Sequence, residues 1–160
     1  MSRPPILFTP GPTEVRPEVL QAFGSPVISH RGEEMAALVQ EILPGIRKLF
    51  GTSGSILLSS SSASGLMEGA IRNCVTSRCL HLVSGAFGER WRQVAEDCER
   101  RPATLAVAPG EAISPQAVDA ALAQGDYEAV CLTHNETATG VTHPLPAIAY
   151  TAGSSRLFRE

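Results

Sequence analysis

Lysine is nearly absent: of thirteen basic residues in the 160-residue chain, twelve are arginine and Lys48 stands alone. Chemistry that needs an amine nucleophile therefore has one candidate within these residues. An excess of either charge is missing too. The formal net charge of −3 supplies neither a basic footprint for nucleic acid nor a polybasic patch for a membrane surface. No apolar run approaches the roughly 18 residues that would cross a bilayer. Met-Ser-Arg-Pro-Pro at the start lacks the apolar stretch of a secretion signal. The expected location is the cytoplasm; import into an organelle stays open, because import signals occur at either end of a chain. Cysteine is sparse, with Cys74, Cys79, Cys98 and Cys131 only. Cys74 and Cys79 are too far apart for a Cys-x-x-Cys pair, and no histidine follows at zinc-finger spacing, so metal binding is not expected. Cys131 lies in an apolar run and reads as a small core residue.

What the chain does have is centred on residues 57–73. An apolar run, Ile56-Leu57-Leu58, reads as a strand end. Four serines, Ser59 to Ser62, follow it, and then Leu66, Met67, Ala70 and Ile71 recur at helical spacing. A turn without bulky side chains exposes its backbone N–H groups, hydroxyls add donors, and the helix start adds roughly half a positive charge. The layout suits a phosphate or a carboxylate, although serines at a helix start also serve as ordinary caps.

In front of this turn, Pro10, Gly11 and Pro12 form a rigid bend, and Pro17 fits the first turn of a short helix ending near Gly24. His30-Arg31 lies in a loop, either solvated or placed as a cation at a site or subunit border. Residues 33–50 form the longest amphipathic helix, with Met35, Leu38, Val39, Ile42, Ile46 and Leu49 on one stripe. Pro44 predicts a kink, Gly51 a stop, and Lys48 a solvated position. Behind the serine turn, short apolar runs alternate with helices. Strands are predicted at 80–83, 103–107 and 129–132, and helices at 87–99 and 114–123, the second capped by Ser114 with Pro115 at its first position. The alternation predicts an α/β fold, a mainly parallel sheet flanked by helices. Ligands in such sheets sit at the carboxyl ends of the strands. Three polar or glycine-rich stretches follow strands here: Ser59 to Ala63, Ser84 to Gly88 and Thr133 to Gly140.

Those stretches, with Thr9-Pro10-Gly11-Pro12-Thr13 in front, resemble the class V aminotransferases of PLP-dependent fold type I, the branch that holds alanine–glyoxylate and serine–pyruvate aminotransferases. The Leu49-Phe50 helix end, Phe87-Gly88-Glu89-Arg90-Trp91 and His134-Asn135-Glu136-Thr137-Ala138-Thr139-Gly140-Val141 fall in the family's order and spacing. The resemblance runs from about Leu7 to Ala149. It implies an arm and short helix over 1–24, the front part of a PLP-binding large domain over 25–149, and a divergent tail over 150–160.

By the same resemblance, the turn at Ser61, Ser62 and Ala63 binds the phosphate of pyridoxal 5′-phosphate. Phe87 stacks on the pyridine ring, Thr137 hydrogen-bonds the ring oxygen, and Gly11 meets the substrate carboxylate through its backbone. The family's Gly-Ser-Gly-Thr turn is Ser60-Ser61-Ser62-Ala63 here, losing both glycines and one hydroxyl. By family spacing, the Asp that pairs with the pyridinium nitrogen falls just beyond Glu160, and the lysine that holds the cofactor aldehyde falls later still. No catalytic residue is therefore assigned.

Two expectations follow from the resemblance. The first is a homodimeric aminotransferase moving an amino group from an alanine- or serine-type amino acid to a glyoxylate- or pyruvate-type 2-oxo acid, these 160 residues being inactive alone. The second is a non-catalytic, shortened product that pairs with a full-length subunit through its arm. A sheet without later strands also leaves an exposed edge, which predicts low solubility or oligomers.

Overall fold

The computed structural model describes residues 6–154, and the chain divides into two compact units, residues 1–58 and 59–160. The first five residues of the expected arm and the last six of the expected tail lie outside the described residues.

In the first unit, the Gly11–Pro12 peptide is cis, and the Thr9 hydroxyl donates to the Pro12 carbonyl at 2.7 Å. Helix α1 (Pro17–Phe23) starts on a proline whose φ is already helical and ends at Gly24. Helix α2 (Glu33–Phe50) runs through Pro44; Glu33 and Glu34 lie in its first turn and Arg47 and Lys48 in its last, the arrangement its dipole favours. Gly51 stops it in the left-handed region at φ 60°, a conformation open to glycine without cost. Neither helix has a buried residue. The expected strand at Ile56 to Leu58 does not form. Leu57 is 92% exposed, and among the described residues no strand lies beside this run to accept its hydrogen bonds.

The second unit is a three-layer α/β arrangement. Strands β1 (Arg78–Val83), β2 (Arg101–Ala106) and β3 (Ala129–Leu132) lie in the order β2-β1-β3, all parallel. Leu80 sits between Ala103 and Val130. Because side chains alternate across a strand, β1 sends Leu80 and Leu82 to one face and Cys79 and His81 to the other. On the first face they meet Ile113, then Val118 and Leu122 of α5 (Pro115–Leu122) and Ile148 of α6 (Leu145–Ser154). On the second, Cys79 and Cys131 meet Ile71 of α3 (Ala63–Cys74) with Val94 and Ala95 of α4 (Ala86–Asp97). Burying each of the larger apolar side chains contributes about 1.5–3 kcal/mol. Helix α5 starts as the sequence predicts: the Ser114 hydroxyl accepts from the Ala117 amide at 3.2 Å. A feature with no sequence signal is the two-stranded hairpin β4 (Asn135–Glu136) and β5 (Val141–Thr142). It closes through Gly140, at φ 71°, whose amide donates to the Glu136 carbonyl at 2.8 Å.

Candidate functional site

Parallel pairing puts the carboxyl ends of β1, β2 and β3 at one end of the sheet. Helix α4 leaves β1 there after Ser84 and Gly85, and the hairpin leaves β3 there after Thr133 and His134. Helix α3 is joined to the start of β1 by residues 75–77 only and so runs antiparallel to β1. Its own start, Ser62, points to the same end.

The start of α3 is built from the serines. The Ser62 hydroxyl accepts from the Gly65 amide at 3.3 Å, the Ser61 amide donates to the Ser59 hydroxyl at 3.1 Å, and the Ser61 hydroxyl donates to the Ser62 carbonyl at 3.1 Å. Among the described residues, the amides of Ala63 and Ser64 meet no acceptor. Ser61, Ser62 and Ala63 are all exposed. A groove along α3 and α4 begins at Ser62 and is lined further on by Arg72 and Arg90.

The start of α4 is built differently. Its cap position is Gly85, which has no side chain to offer the first amides of the helix. Glu136 caps them instead, from 49 residues further along the chain. Its Oε2 accepts from the Phe87 amide at 3.0 Å and the Gly88 amide at 3.0 Å, and its Oε1 accepts from the Ala138 amide at 3.1 Å. The carboxylate is 1% exposed. A buried anion is tolerable when hydrogen bonds and a helix dipole both stabilise it, and here both do. One side chain thus ties the turn that carries Phe87 to the turn that carries Thr137.

A second buried tie runs beside the first. The Ile113 amide donates to His143 Nδ1 at 3.1 Å, which assigns the ring proton to Nε2, 2.7 Å from the Ser84 hydroxyl. Burial lowers the His143 pKa from its ordinary value of 6.5, outweighing the attraction of Glu136. Between the folded pKa and about 6.5 the unfolded chain holds more of this proton, so the contribution of His143 is complete above about 6.5 and is lost as the pH falls below it. Urea midpoints measured from pH 7.5 down to 5.5 should fall, and His143→Gln should flatten that decline.

The remaining buried polar groups lie on the α3/α4 face. His81 is 1% exposed, with Nε2 3.2 Å from Cys79 Sγ and its ring edge-on to Trp91. The hydrogen bond to Cys79, together with burial, raises the pKa of Cys131 and keeps that thiol protonated. All four cysteines are free. Among the described residues, no group of His, Cys, Asp or Glu could hold a metal ion.

Of the site residues expected from sequence, Ser61, Ser62, Ala63, Phe87 and Thr137 all lie at the carboxyl end of the sheet. Phe87 is 46% exposed, and Thr137 is exposed on the hairpin turn. Gly11 belongs to the first unit, in open space. Glu136, His143 and Ser84 carry no expected role in the sequence reading. The signal available for Glu136 was negative: a helix start at Gly85 without a local cap needs an acceptor from elsewhere.

No family model matches the chain. An uncharacterized aminotransferase of Methanocaldococcus jannaschii is 35% identical over 146 residues, 89% of this chain and 38% of the relative. An alanine–glyoxylate aminotransferase of Oryctolagus cuniculus is 35% identical over 143 residues, 88% of this chain and 36% of the relative. A solved aspartate aminotransferase of subgroup IV from Thermus thermophilus matches 95% of this chain and 43% of its own with a TM-score of 0.84 at 28% identity. The chain is a relative of the class V aminotransferases. It has their PLP-transferase fold, and it spans less than two fifths of the length of the curated relatives it matches.

The cofactor that the relatives imply is pyridoxal phosphate. Free amides at Ala63 and Ser64 suit a phosphate, and the half-exposed Phe87 suits a flat heterocycle. Thr133 Oγ1, at the carboxyl end of β3, is buried without a hydrogen-bond partner. An orphaned hydroxyl of this kind calls for a polar group nearby. The residues present fit pyridoxal phosphate.

Proposed function

We propose that residues 59–154 form the half of an aminotransferase site that holds and orients pyridoxal phosphate. The observation carrying this reading is the free-amide start of α3 at the same sheet end as the Glu136-tied turns. In this reading, Ser61, Ser62 and Ala63 receive the phosphate, chiefly through backbone amides. Phe87 stacks against the ring, and the Thr137 hydroxyl donates to the ring oxygen. The Gly11 backbone meets the substrate carboxylate. When bound, the cofactor supplies an electron sink for the substrate's Cα and a carbonyl that takes up the amino group. The reaction served is transfer of an amino group from an alanine- or serine-type amino acid to a glyoxylate- or pyruvate-type 2-oxo acid, in a homodimer.

Moving the Cα proton requires a base at the cofactor, and residues 59–154 contain no lysine. Lys48 is exposed on α2. These residues therefore bind and orient without completing the chemistry. A second reading, a non-catalytic partner of a full-length subunit, is favoured by exposed apolar groups in the arm, with Phe8 at 94% and Phe23 at 82%.

Equilibrium dialysis tests the cradle. Ser62→Asp keeps a good helix cap but sets a carboxylate against the phosphate, and should weaken pyridoxal phosphate binding at least tenfold. With pyridoxal phosphate, alanine and glyoxylate the chain should release no pyruvate, and a separate sample with pyridoxal phosphate alone should keep no stoichiometric pyridoxyl label after borohydride treatment. Turnover that Lys48→Ala abolishes would contradict the reading.

A further inference from the structure

Two helices on the Cys79 face of the sheet, α3 and α4, pack on each other and begin at the same end. Each start carries the partial positive charge that attracts an anion. They are not equally open. At α3 the amides of Ala63 and Ser64 are free among the described residues. At α4 the place of an anion is taken by the Glu136 carboxylate, 1% exposed and held by the Phe87 and Gly88 amides at 3.0 Å each. We propose that Glu136 decides which of these two starts receives the anionic end of a phosphorylated ligand, and so which way round that ligand lies. The inference rests on the cofactor reading above and adds its orientation.

The rest of the α4 start does not turn an anion away. Gly85 brings no side chain, and the Ser84 hydroxyl is engaged by His143 Nε2 at 2.7 Å. Glu89, the other acid of the first turn, is paired with Arg92 at 2.6 Å. Without Glu136, the Phe87 and Gly88 amides would offer a second place for a phosphate, one helix over from the first. A phosphate there would sit on the backbone of the residue whose ring stacks on the heterocycle, so the two orientations exclude each other. The carboxylate removes the wrong one by like-charge repulsion, which raises specificity without any contact to the favoured phosphate. Its other oxygen serves the favoured orientation. Oε1 accepts from the Ala138 amide at 3.1 Å, so the group that closes α4 also holds the turn bearing Thr137. Glu136 acts through Phe87 and Thr137 and is a positioning residue. Room for it is made at Gly85, where a Cβ would lie 2.6 Å from its Cγ.

Inorganic phosphate, followed in ¹H–¹⁵N spectra, tests this. In the native chain it should shift the amides of Ser62, Ala63 and Ser64 and leave Phe87 and Gly88 unmoved. In Glu136→Ala it should shift Phe87 and Gly88 as well, binding there roughly tenfold or more above the native chain. Formate, a free carboxylate, should refill the place and displace phosphate from α4. Formamide, neutral and of the same shape, should not. A purely structural role for Glu136 predicts neither the new phosphate site nor a difference between these two molecules. Glu136→Gln keeps the shape and loses the charge, and it carries the same phosphate test where the alanine variant does not fold. Glu136→Asp keeps the charge and should keep the native pattern. The two readings fail separately. Silence at Ser62 to Ser64 in the native chain would overturn the cofactor reading. A folded, uncharged variant without new shifts at Phe87 and Gly88, or formamide acting as well as formate, would overturn this one.

Discussion

Replacing Glu136 with alanine should cost the fold about 3 kcal/mol, since each buried donor left without its acceptor costs about 1–3 kcal/mol. The loss has two parts. The amides of Phe87, Gly88 and Ala138 lose a shared side-chain acceptor, and the buried Gly88 donor left unpaired carries its full desolvation cost, the two part-buried donors less. The side chain also leaves a void in a position 1% exposed. Glu136→Gln is the sharper variant because it preserves shape. Both carboxylate oxygens accept from amides, so the NH₂ of a glutamine faces a donor whichever way it is turned. That mismatch, with the lost attraction to the start of α4, should cost about 2 kcal/mol. Denaturant unfolding gives the totals. Hydrogen exchange at Phe87, Gly88 and Ala138 should quicken more than elsewhere, and uniform change across the sheet would argue against a local tie.

Gly85→Ala should be nearly as damaging, for a reason that the first substitution removes. A Cβ built on Gly85 would lie 2.6 Å from Cγ and 2.7 Å from Cδ of Glu136, and these are the closest atoms it meets. The backbone there is extended, φ 171°, so alanine is not excluded by conformation. Overlap with a side chain held by three amides is the whole difficulty, and overpacking of this sort costs about 1–3 kcal/mol before any lost hydrogen bonds. In the Glu136→Ala background the clash is gone, and Gly85→Ala should then change stability by no more than about 0.5 kcal/mol. The expected result is strong non-additivity in the cycle. Additive losses would mean that Gly85 is needed for something other than room for the carboxylate.

Much of the architecture was legible in the sequence because it rests on local chemistry. Ser114-Pro115 starts a helix wherever it is put, Gly51 stops one, and apolar runs such as Leu80 to Val83 announce buried parallel strands. The failures have long-range causes. Ile56 to Leu58 has the composition of a strand, but pairing depends on a neighbour the run does not contain. Strands of two residues, as in β4 and β5, are too short for any period to register. Glu136, His81 and His143 are polar, nothing in their local sequence marks them as buried, and each is at most 2% exposed. Their partners come from elements far along the chain, so the sequence marks the vacancy at Gly85 but not the residue that fills it. The start of α3 was more readable, since serines that start a helix advertise its cap and free amides within a few positions.

The reading of the site rests on those amides facing a phosphate while Phe87 faces a ring. Pyridoxamine 5′-phosphate tests both at once, since it carries no aldehyde and cannot be trapped by Lys48 or the chain start. In ¹H–¹⁵N spectra, titration should shift the amides of Ser62, Ala63 and Ser64 together with those of Phe87 and Thr137. Pyridoxamine without its phosphate should leave the first three unmoved. Shifts confined to other regions, or equal responses to the two compounds, would contradict the account.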